Sequence, residues 1–190
     1  MMTFKQHRVK NLGFGAGATV FAVLLFAGIA QWAPIPSAAA PPPVPWTAVA
    51  STGAADESAF GIFAFSGPSV GYGAVATSTA PIEFRYNVTN TGDTASSTPG
   101  WKTLEVGMFA PATSVVSASL YQVERCTGKQ TLLCSVRGTN FTGTTGQCRT
   151  CTLQTTANPI DFARYLYYVD LFLDRNTPGE KPLAHTLRLF

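Results

Sequence analysis

The chain has 190 residues and a formal net charge of +3, and only 12% of its residues are charged. Lys5, Arg8 and Lys10 precede the first apolar segment, and without them ten basic residues face ten acidic ones. Because nucleic acids and anionic membrane surfaces require a basic excess on the folded domain, this balance argues against both partners. The length is that of one domain of ordinary size.

The N-terminal segment has the pattern of an export signal. A basic stretch is followed by nineteen uncharged residues, 14–32, and prolines at 34, 36 and 41–43 stop any continuing helix. The small residues Ser37-Ala38-Ala39 match a signal-peptidase site, so we predict a signal peptide over residues 1–39. The alternative is an uncleaved signal anchor, because this apolar segment is just long enough to span a bilayer.

Residues 40–57 are rich in Pro, Ala, Ser and Thr and are predicted to form a linker. The folded domain is then expected over residues 58–190. With either N-terminal signal this domain lies beyond the cytoplasmic membrane, so the protein is expected to be secreted or periplasmic, or membrane-anchored with the domain outside. Contact with the membrane is expected only through the N-terminal segment, if that segment is not cleaved.

The domain sequence alternates between apolar and polar residues with the period of β-strands. The clearest run is 81–89, in which the apolar side chains at 82, 84, 86 and 88 would share one buried face. The predicted strands are residues 59–65, 69–76, 81–89, 102–109, 115–125, 130–137, 151–155, 165–174 and 184–190. Turn residues separate them, so we expect an all-β antiparallel sandwich of about seven to nine strands, preceded by the hydrophobic signal helix.

The segment Tyr86-Asn-Val-Thr-Asn-Thr-Gly-Asp93 resembles the strand-and-turn motif of immunoglobulin-like repeat domains in bacterial surface and secreted proteins. Asn90, Gly92 and Asp93 supply the turn conformations that end the strand. The resemblance covers these eight residues. It implies an immunoglobulin-like sandwich that spaces, displays or adheres.

All four cysteines lie in the predicted exported domain, where disulfides are the default. Turn residues between Cys126 and Cys134 predict a hairpin that brings these two sulfurs together. This favours the pairs Cys126–Cys134 and Cys148–Cys151, and the two other connectivities stay open. A redox-active Cys148-Arg-Thr-Cys151 is disfavoured because no helix follows it, and zinc is disfavoured because the first two cysteines are too widely spaced.

Two surfaces are candidates for binding. Tyr168 and Phe172 alternate with the inward residues of the strand 165–174, so they offer an aromatic contact surface for a sugar or a protein, unless a loop or strand covers them. The stretch 125–150 has basic residues and no acidic one, which fits either an anion-binding loop face or a solvated end of the sandwich. Its four basic residues are Arg125, Lys129, Arg137 and Arg149.

The sequence contains no complete catalytic set. His7 lies in the predicted signal peptide, and His185 alternates with leucines as a residue at a sheet margin does. Asp170 and Asp174 on one strand would stand ~13 Å apart, too far for an acid and a nucleophile. No phosphate-binding glycine loop, calcium loop or zinc-protease motif occurs, so we predict no catalytic residue, metal or cofactor.

The leading hypothesis is a non-enzymatic exported module for binding, adhesion or envelope structure. Its expected partner is an extracellular or envelope protein or a glycan, and not a nucleic acid. The alternative is a secreted carbohydrate-active hydrolase that uses cross-strand carboxylates such as Glu83, Glu105 or Asp170. Adjacent positions of Glu83 and Glu105 in a concave site would favour the hydrolase.

Overall fold

The computed structural model describes residues 43–90, 97–140, 145–154 and 160–190. Within these ranges the chain forms eleven strands and two single-turn 3₁₀ helices, Ala50–Thr52 and Glu57–Ala59. The strands are β1 Trp46–Val49, β2 Ala54–Ala55, β3 Phe63–Ser66, β4 Ser69–Tyr72, β5 Ile82–Val88, β6 Thr103–Phe109, β7 Val115–Glu124, β8 Gln130–Thr139, β9 Gln147–Thr152, β10 Tyr165–Asp174 and β11 Leu183–Leu189. None of the helices in these ranges is long and apolar enough to cross a bilayer. The predicted signal peptide, residues 1–39, lies outside the described residues.

The strands form two antiparallel sheets. The five-stranded sheet has the order β2-β5-β10-β7-β8, and the six-stranded sheet has the order β3-β4-β11-β6-β9, with β1 also paired to β11. Strand β11 pairs with β6 along one edge. Its other edge is shared, because Leu183 and Ala184 pair with β4 and residues 186–189 pair with β1. The chain is therefore an antiparallel β-sandwich, as its alternating sequence predicts.

The strand order is that of a jelly roll. Numbered from β4 to β11, eight strands pair in the orders 1-8-3-6 and 2-7-4-5, which is the jelly-roll arrangement of two Greek keys. An immunoglobulin domain instead groups its strands as ABED and CFG. The turn of the immunoglobulin-like motif, residues 91–93, lies outside the described residues, so the motif itself stays a prediction.

The core lies between the sheets and follows the predicted alternation. In β5 the side chains of Ile82, Phe84, Tyr86 and Val88 are buried and the intervening ones reach solvent. Strand β10 shows the same pattern over ten residues, with alternate side chains from 167 to 173 buried. Since each sheet turns one face to the core, each has one outer face in contact with solvent.

The sandwich begins before the predicted linker ends. Residues 46–55 form β1 and β2, and Trp46 is only 4% exposed. The hydroxyl of buried Tyr86 donates a hydrogen bond to the Ala50 carbonyl oxygen at 2.6 Å, which fixes this segment to β5. Its small alanine, serine and threonine side chains give no alternation, so composition alone resembles a linker.

Candidate functional site

The outer face of the five-stranded sheet carries aromatic side chains that remain partly in solvent. Tyr168 and Phe172 of β10 are half-buried and Leu166 is 56% exposed, whereas the alternate residues Tyr167, Val169 and Leu171 face the core. Strands β5 and β7 flank β10 on both sides. The two aromatic residues predicted to form a contact surface therefore do share one outer face, and neither is fully covered.

Tyr168 stacks on Tyr121 of the neighbouring strand β7. The two residues are directly opposite in the strand pairing, and their ring centroids are 5.2 Å apart at an interplanar angle of 18°. The Tyr168 hydroxyl also donates to Gln130 Oε1 at 3.0 Å. Because the ring is held by both contacts, its orientation is fixed before any ligand arrives.

The other face of Tyr168 is turned toward β5, where Asn87 is its direct strand partner. Here Arg85, Asn87, Gln130 and Tyr168 line a depression of about 280 Å³, together with the apolar side chains of Val123 and Leu166. We call the group Tyr121, Tyr168, Arg85, Asn87 and Gln130 the tyrosine site. It combines a fixed aromatic ring with amide and guanidinium groups.

Asp170 lies beside the tyrosine site, two residues from Tyr168 on the same strand. Its Oδ1 atom is 3.8 Å from Arg85 Nε, close enough for an ion pair and too far for a hydrogen bond. That oxygen is buried and has no hydrogen-bond partner among the described residues. Burial raises the pKa of the Asp170 carboxyl above its ordinary value, and the charge of Glu83 raises it further while Arg85 opposes the rise.

Burial also raises the pKa of the Tyr168 hydroxyl, and the negative charge of Asp170 adds to this effect. The phenol is therefore neutral across the physiological range and keeps its hydrogen. Its hydrogen is donated to Gln130 Oε1, so the phenol oxygen is left to accept a hydrogen bond from a ligand hydroxyl.

Arg85 connects the tyrosine site to the edge of the sandwich. Its side chain is 60% exposed. It lines a second depression of about 320 Å³ with Asp56 and Glu57, and a third of about 300 Å³ with Trp46 and Asn87. Among the described residues, β2 pairs with β5 at Phe84 and Arg85, the Asp56 amide donates to the Glu83 carbonyl oxygen, and no strand pairs with this edge of β5 from Tyr86 to Val88. A ligand longer than one ring therefore has room to continue past Arg85.

Phe172 lies on the same outer face, one outward position beyond Asp170. Its strand partners are Glu83 of β5 and Ser117 of β7. It is four positions along β10 from Tyr168, about 13 Å along the strand. Tyr168 and Phe172 therefore lie on one surface but are too far apart to contact each other. Tyr168 belongs to the tyrosine site and Phe172 borders it beyond Asp170.

The four predicted basic residues do not form one face. Arg125 and Lys129 lie at the β7–β8 turn, where Arg125 donates to the Phe162 carbonyl oxygen. Arg137 lies in β8 opposite Ser117, and Arg149 lies in β9 of the other sheet, where it donates to Gln147 Oε1 at 2.8 Å. The structure therefore separates them, so they form neither one anion-binding face nor one end of the sandwich.

The favoured disulfide pairing is wrong. Cys134 of β8 pairs with Cys151 of β9, with Cα atoms 5.9 Å apart, and Cys126 and Cys148 are free and exposed. The pairing of Leu120 with Cys134 places that sulfur toward the core side, whereas Cys126 lies beyond the end of β7 in the turn. Proximity along the hairpin therefore misleads, because the bond joins one sheet to the other.

The carboxylates proposed for a hydrolase are divided between the two sheets. Glu83 lies on the outer face of the five-stranded sheet, and Glu105 of β6 alternates with buried Leu104 and Val106 in the other sheet. They therefore point away from opposite sides of the sandwich. Asp170 and Glu83 do share a face, as diagonal neighbours on paired strands.

His185 belongs to the six-stranded sheet, at an irregularity in the β6–β11 pairing. Its Nδ1 atom is 2.7 Å from the Ser69 hydroxyl oxygen, and burial lowers the pKa of the imidazole. Among the described residues no carboxylate hydrogen-bonds to His185. The pair is a serine and a histidine without the third group of a triad in the described part of the chain, and His185 lies in β11, an interior strand of its sheet.

Sequence reasoning missed Tyr121, Asn87, Arg85 and Gln130 as site residues. Arg85 and Asn87 carry a weak signal, since they occupy the water-facing positions of the clearest predicted strand. Their neighbours on β10 depend on a strand pairing that is distant in sequence. The register shift in β8 next to Tyr121 also has no signal in the sequence.

No family model matches the chain. No curated protein matches it either. Among solved structures the chain is similar to CsCBM6-3 from Clostridium stercorarium in complex with cellobiose, with 13% identity and a TM-score of 0.44. The alignment covers 76% of this chain and 92% of that one. A likeness of this strength supports no conclusion about the function, which must rest on the geometry of the tyrosine site.

Proposed function

We propose that this chain is a non-enzymatic, exported module that binds a glycan at the tyrosine site. The observation that carries the proposal is the fixed Tyr121–Tyr168 stack, whose free ring face borders a depression lined by Arg85 and Asn87. Sugar rings present C–H groups on one face and hydroxyls around the edge. An aromatic face flanked by amide, guanidinium and phenol groups is complementary to both parts.

The dimensions of the site favour a short or extended sugar over a compact drug-like molecule. A depression of about 280 Å³ is at the lower limit of small-molecule sites. It opens toward Arg85 and the further depression on the β2 side, so a chain of sugar units fits better than one bulky ring system. A shallow polar site of this kind is typical of weak, reversible binding.

Export, display on a surface and an adhesive or envelope role belong to the same proposal. The Cys134–Cys151 disulfide supports an oxidising compartment. The immunoglobulin-like family stays an expectation based on residues 86–93 alone. Jelly-roll sandwiches serve many functions, so the fold adds little to the choice of partner.

The proposal is tested with the exported form on an array of neutral, amino-substituted and acidic oligosaccharides. Tyr168→Ala is expected to abolish binding while the melting temperature stays close to that of the parent protein. Phe65→Ala is the matched control, because Phe65 is an exposed aromatic residue of β3 in the other sheet. Binding of no oligosaccharide, or equal loss in both variants, would contradict the proposal.

A second candidate function is glycan hydrolysis at the same face, and one observation favours it. Asp170 has a raised pKa and Glu83 is its diagonal neighbour, which is the combination that separates an acid from a base. Diagonal residues on paired strands stand about 7–8 Å apart, with their Cβ atoms somewhat closer, so the two carboxyl groups are near the range of glycosidases. Release of shorter products from a bound oligosaccharide, lost in Glu83→Gln, would establish hydrolysis and overturn the non-enzymatic proposal.

A further inference from the structure

We propose that Asp170 accepts a hydrogen bond from the ligand, so that the tyrosine site takes neutral or amino-substituted glycans and rejects acidic ones. This inference rests on the proposed glycan-binding function and adds the chemical class of the ligand. It starts from an atom that the folded chain leaves without a partner.

The Oδ1 atom of Asp170 is buried and accepts no hydrogen bond in the described part of the chain. An acceptor in that position normally costs about 1–3 kcal/mol when it is left unpaired. Asp170 lies on the outer face between Tyr168 and Phe172, and its side chain is 25% exposed. A ligand seated on Tyr168 is therefore next to the carboxyl group.

Neither strand neighbour of Asp170 supplies the missing donor. Arg85, its partner on β5, keeps its Nε atom 3.8 Å away. Ser119, its partner on β7, donates its hydroxyl hydrogen to Ser135 at 3.0 Å. Within the described residues a donor becomes available only by a movement of the exposed Arg85 guanidinium or from a bound ligand, and a ligand that displaces Arg85 opens the way to the oxygen.

The charges around the carboxyl group determine which ligands are accepted. Asp170 interacts electrostatically with Glu83, Asp56 and Arg85, which gives three acidic groups and one basic group at this end of the face. Tyr121 and Tyr168 contribute neutral phenols, and Ser119 a neutral hydroxyl. A carboxylate or sulfate on the ligand would add a further negative charge, whereas a hydroxyl or an ammonium group would supply a donor.

The alternative occupant of the site is an acidic sugar held by Arg85, since a guanidinium pairs well with carboxylates. The geometry favours neutral or amino-substituted glycans because Arg85 already interacts with the carboxylates of Asp170 and Asp56. These partly neutralise its charge before any ligand binds. The two ligand classes predict opposite results on the same array.

The experiment uses the exported protein and the same oligosaccharide array, followed by titration of matched tetramers. The tetramers are N-acetylglucosamine, glucosamine, galacturonate and methyl-esterified galacturonate. We expect the neutral and amino forms to bind at least tenfold more tightly than galacturonate. Asp170→Asn is expected to weaken the binding of glucosamine about tenfold and to reduce the discrimination against galacturonate.

Two results would overturn the inference, and they differ from failure of the proposed function. Tighter binding of acidic than of neutral sugars, lost in Arg85→Gln, would assign the site to anionic glycans. Unchanged binding of glucosamine by a folded Asp170→Asn variant would remove Asp170 from the site. In both cases glycan binding at the tyrosine site would stand, whereas absence of any binding on the array would overturn both proposals.

Discussion

Cys134 and Cys151 join the two sheets of the sandwich covalently. Each lies in the strand at one end of its sheet, β8 in the five-stranded sheet and β9 in the six-stranded sheet. The Leu133 carbonyl oxygen also accepts a hydrogen bond from the Gln154 amide at 3.0 Å, beside the disulfide. This side of the sandwich is therefore closed by a bond that survives when the packing is lost.

Removing that bond is expected to destabilise the fold. The disulfide closes a loop with a sequence separation of 17 residues, which corresponds to about 3 kcal/mol of unfolding free energy in the chain-entropy model. The double variant Cys134→Ser/Cys151→Ser should lose about that amount in urea unfolding. Cys126→Ser/Cys148→Ser is the control, since both thiols are free and exposed, and its stability should not change.

The same pairing predicts two reactive thiols in the native protein. Alkylation without reduction should label Cys126 and Cys148 and spare the other two cysteines. Peptide mapping that instead recovers a Cys126–Cys134 or Cys148–Cys151 peptide would reject the inter-sheet bond.

Asp170 is expected to lower stability at neutral pH. Its folded-state pKa lies above the ordinary value of 3.8, mainly because of burial, so the native state holds the proton more tightly than the unfolded chain. Stability therefore falls as the pH rises from 3.8 through the folded-state value. Asp170→Asn should therefore be more stable than the parent protein at pH 7.

That gain should shrink at pH 3, where the parent carboxyl group is protonated in both states. Urea unfolding of both proteins at pH 3 and pH 7 measures the difference. A variant that is less stable at pH 7 would mean that the Arg85–Asp170 ion pair outweighs the cost of burial. A residue that weakens the fold and serves binding is typical of functional sites.

Arg175 is expected to be the largest single contributor among the polar side chains. It is 2% exposed, and its guanidinium donates only to backbone carbonyl oxygens while it lies 3.9 Å from the centroid of the Tyr72 ring. The acceptors are the carbonyl oxygens of Ala76, Ser78, Pro178 and Glu180. Arg175→Met leaves them without this donor and should cost about 3 kcal/mol in unfolding free energy.

Arg188→Met is the control for this substitution. Arg188 is exposed and lies over Phe190 at 4.7 Å from the ring centroid, so its loss should change stability by less than about 0.5 kcal/mol. Equal effects of the two substitutions would show that the Arg175 contacts do not hold the loops at 76–78 and 178–180.

Tyr86→Phe tests whether residues 46–55 belong to the folded domain. The Tyr86 hydroxyl is buried and donates to Ala50, and burial raises the pKa of this phenol. Loss of the hydrogen bond leaves the Ala50 carbonyl unpaired and should cost about 1–2 kcal/mol. Tyr165→Phe should be neutral, because the Tyr165 hydroxyl makes no hydrogen bond within the described ranges, and thermal unfolding compares the two.

The fold class was predictable because β5 and β10 alternate strictly between buried and solvent-facing residues. A sandwich leaves that period in the sequence wherever a strand has one face in the core. Strand β9 carries almost no such signal, since most of its side chains are exposed at the sheet edge. Strands β1 and β2 have four and two residues and bury only the side chain of Trp46, so they leave no alternation that the sequence could reveal.

The tyrosine site was predictable only in part, for a reason of topology. Tyr168 and Phe172 can be recognised as outward residues from their own strand alone. Tyr121 becomes a partner of Tyr168 only through the pairing of β7 with β10, more than forty residues apart. Predicting the disulfide requires the same kind of information. Cys134 lies in β8 and Cys151 in β9, and these strands belong to different sheets.

The positions of β10 and β11 constrain when the protein can fold. These last two strands in chain order lie inside the two sheets, where β10 separates β5 from β7 and β11 separates β4 from β6. A nascent chain of the first 160 residues contains neither β10 nor β11, so β5 and β6 lack their main pairing strands. Each sheet therefore reaches its full strand order only after β10 and β11 have been synthesised, although β7 can already pair with β8 and β6 with β9 before then.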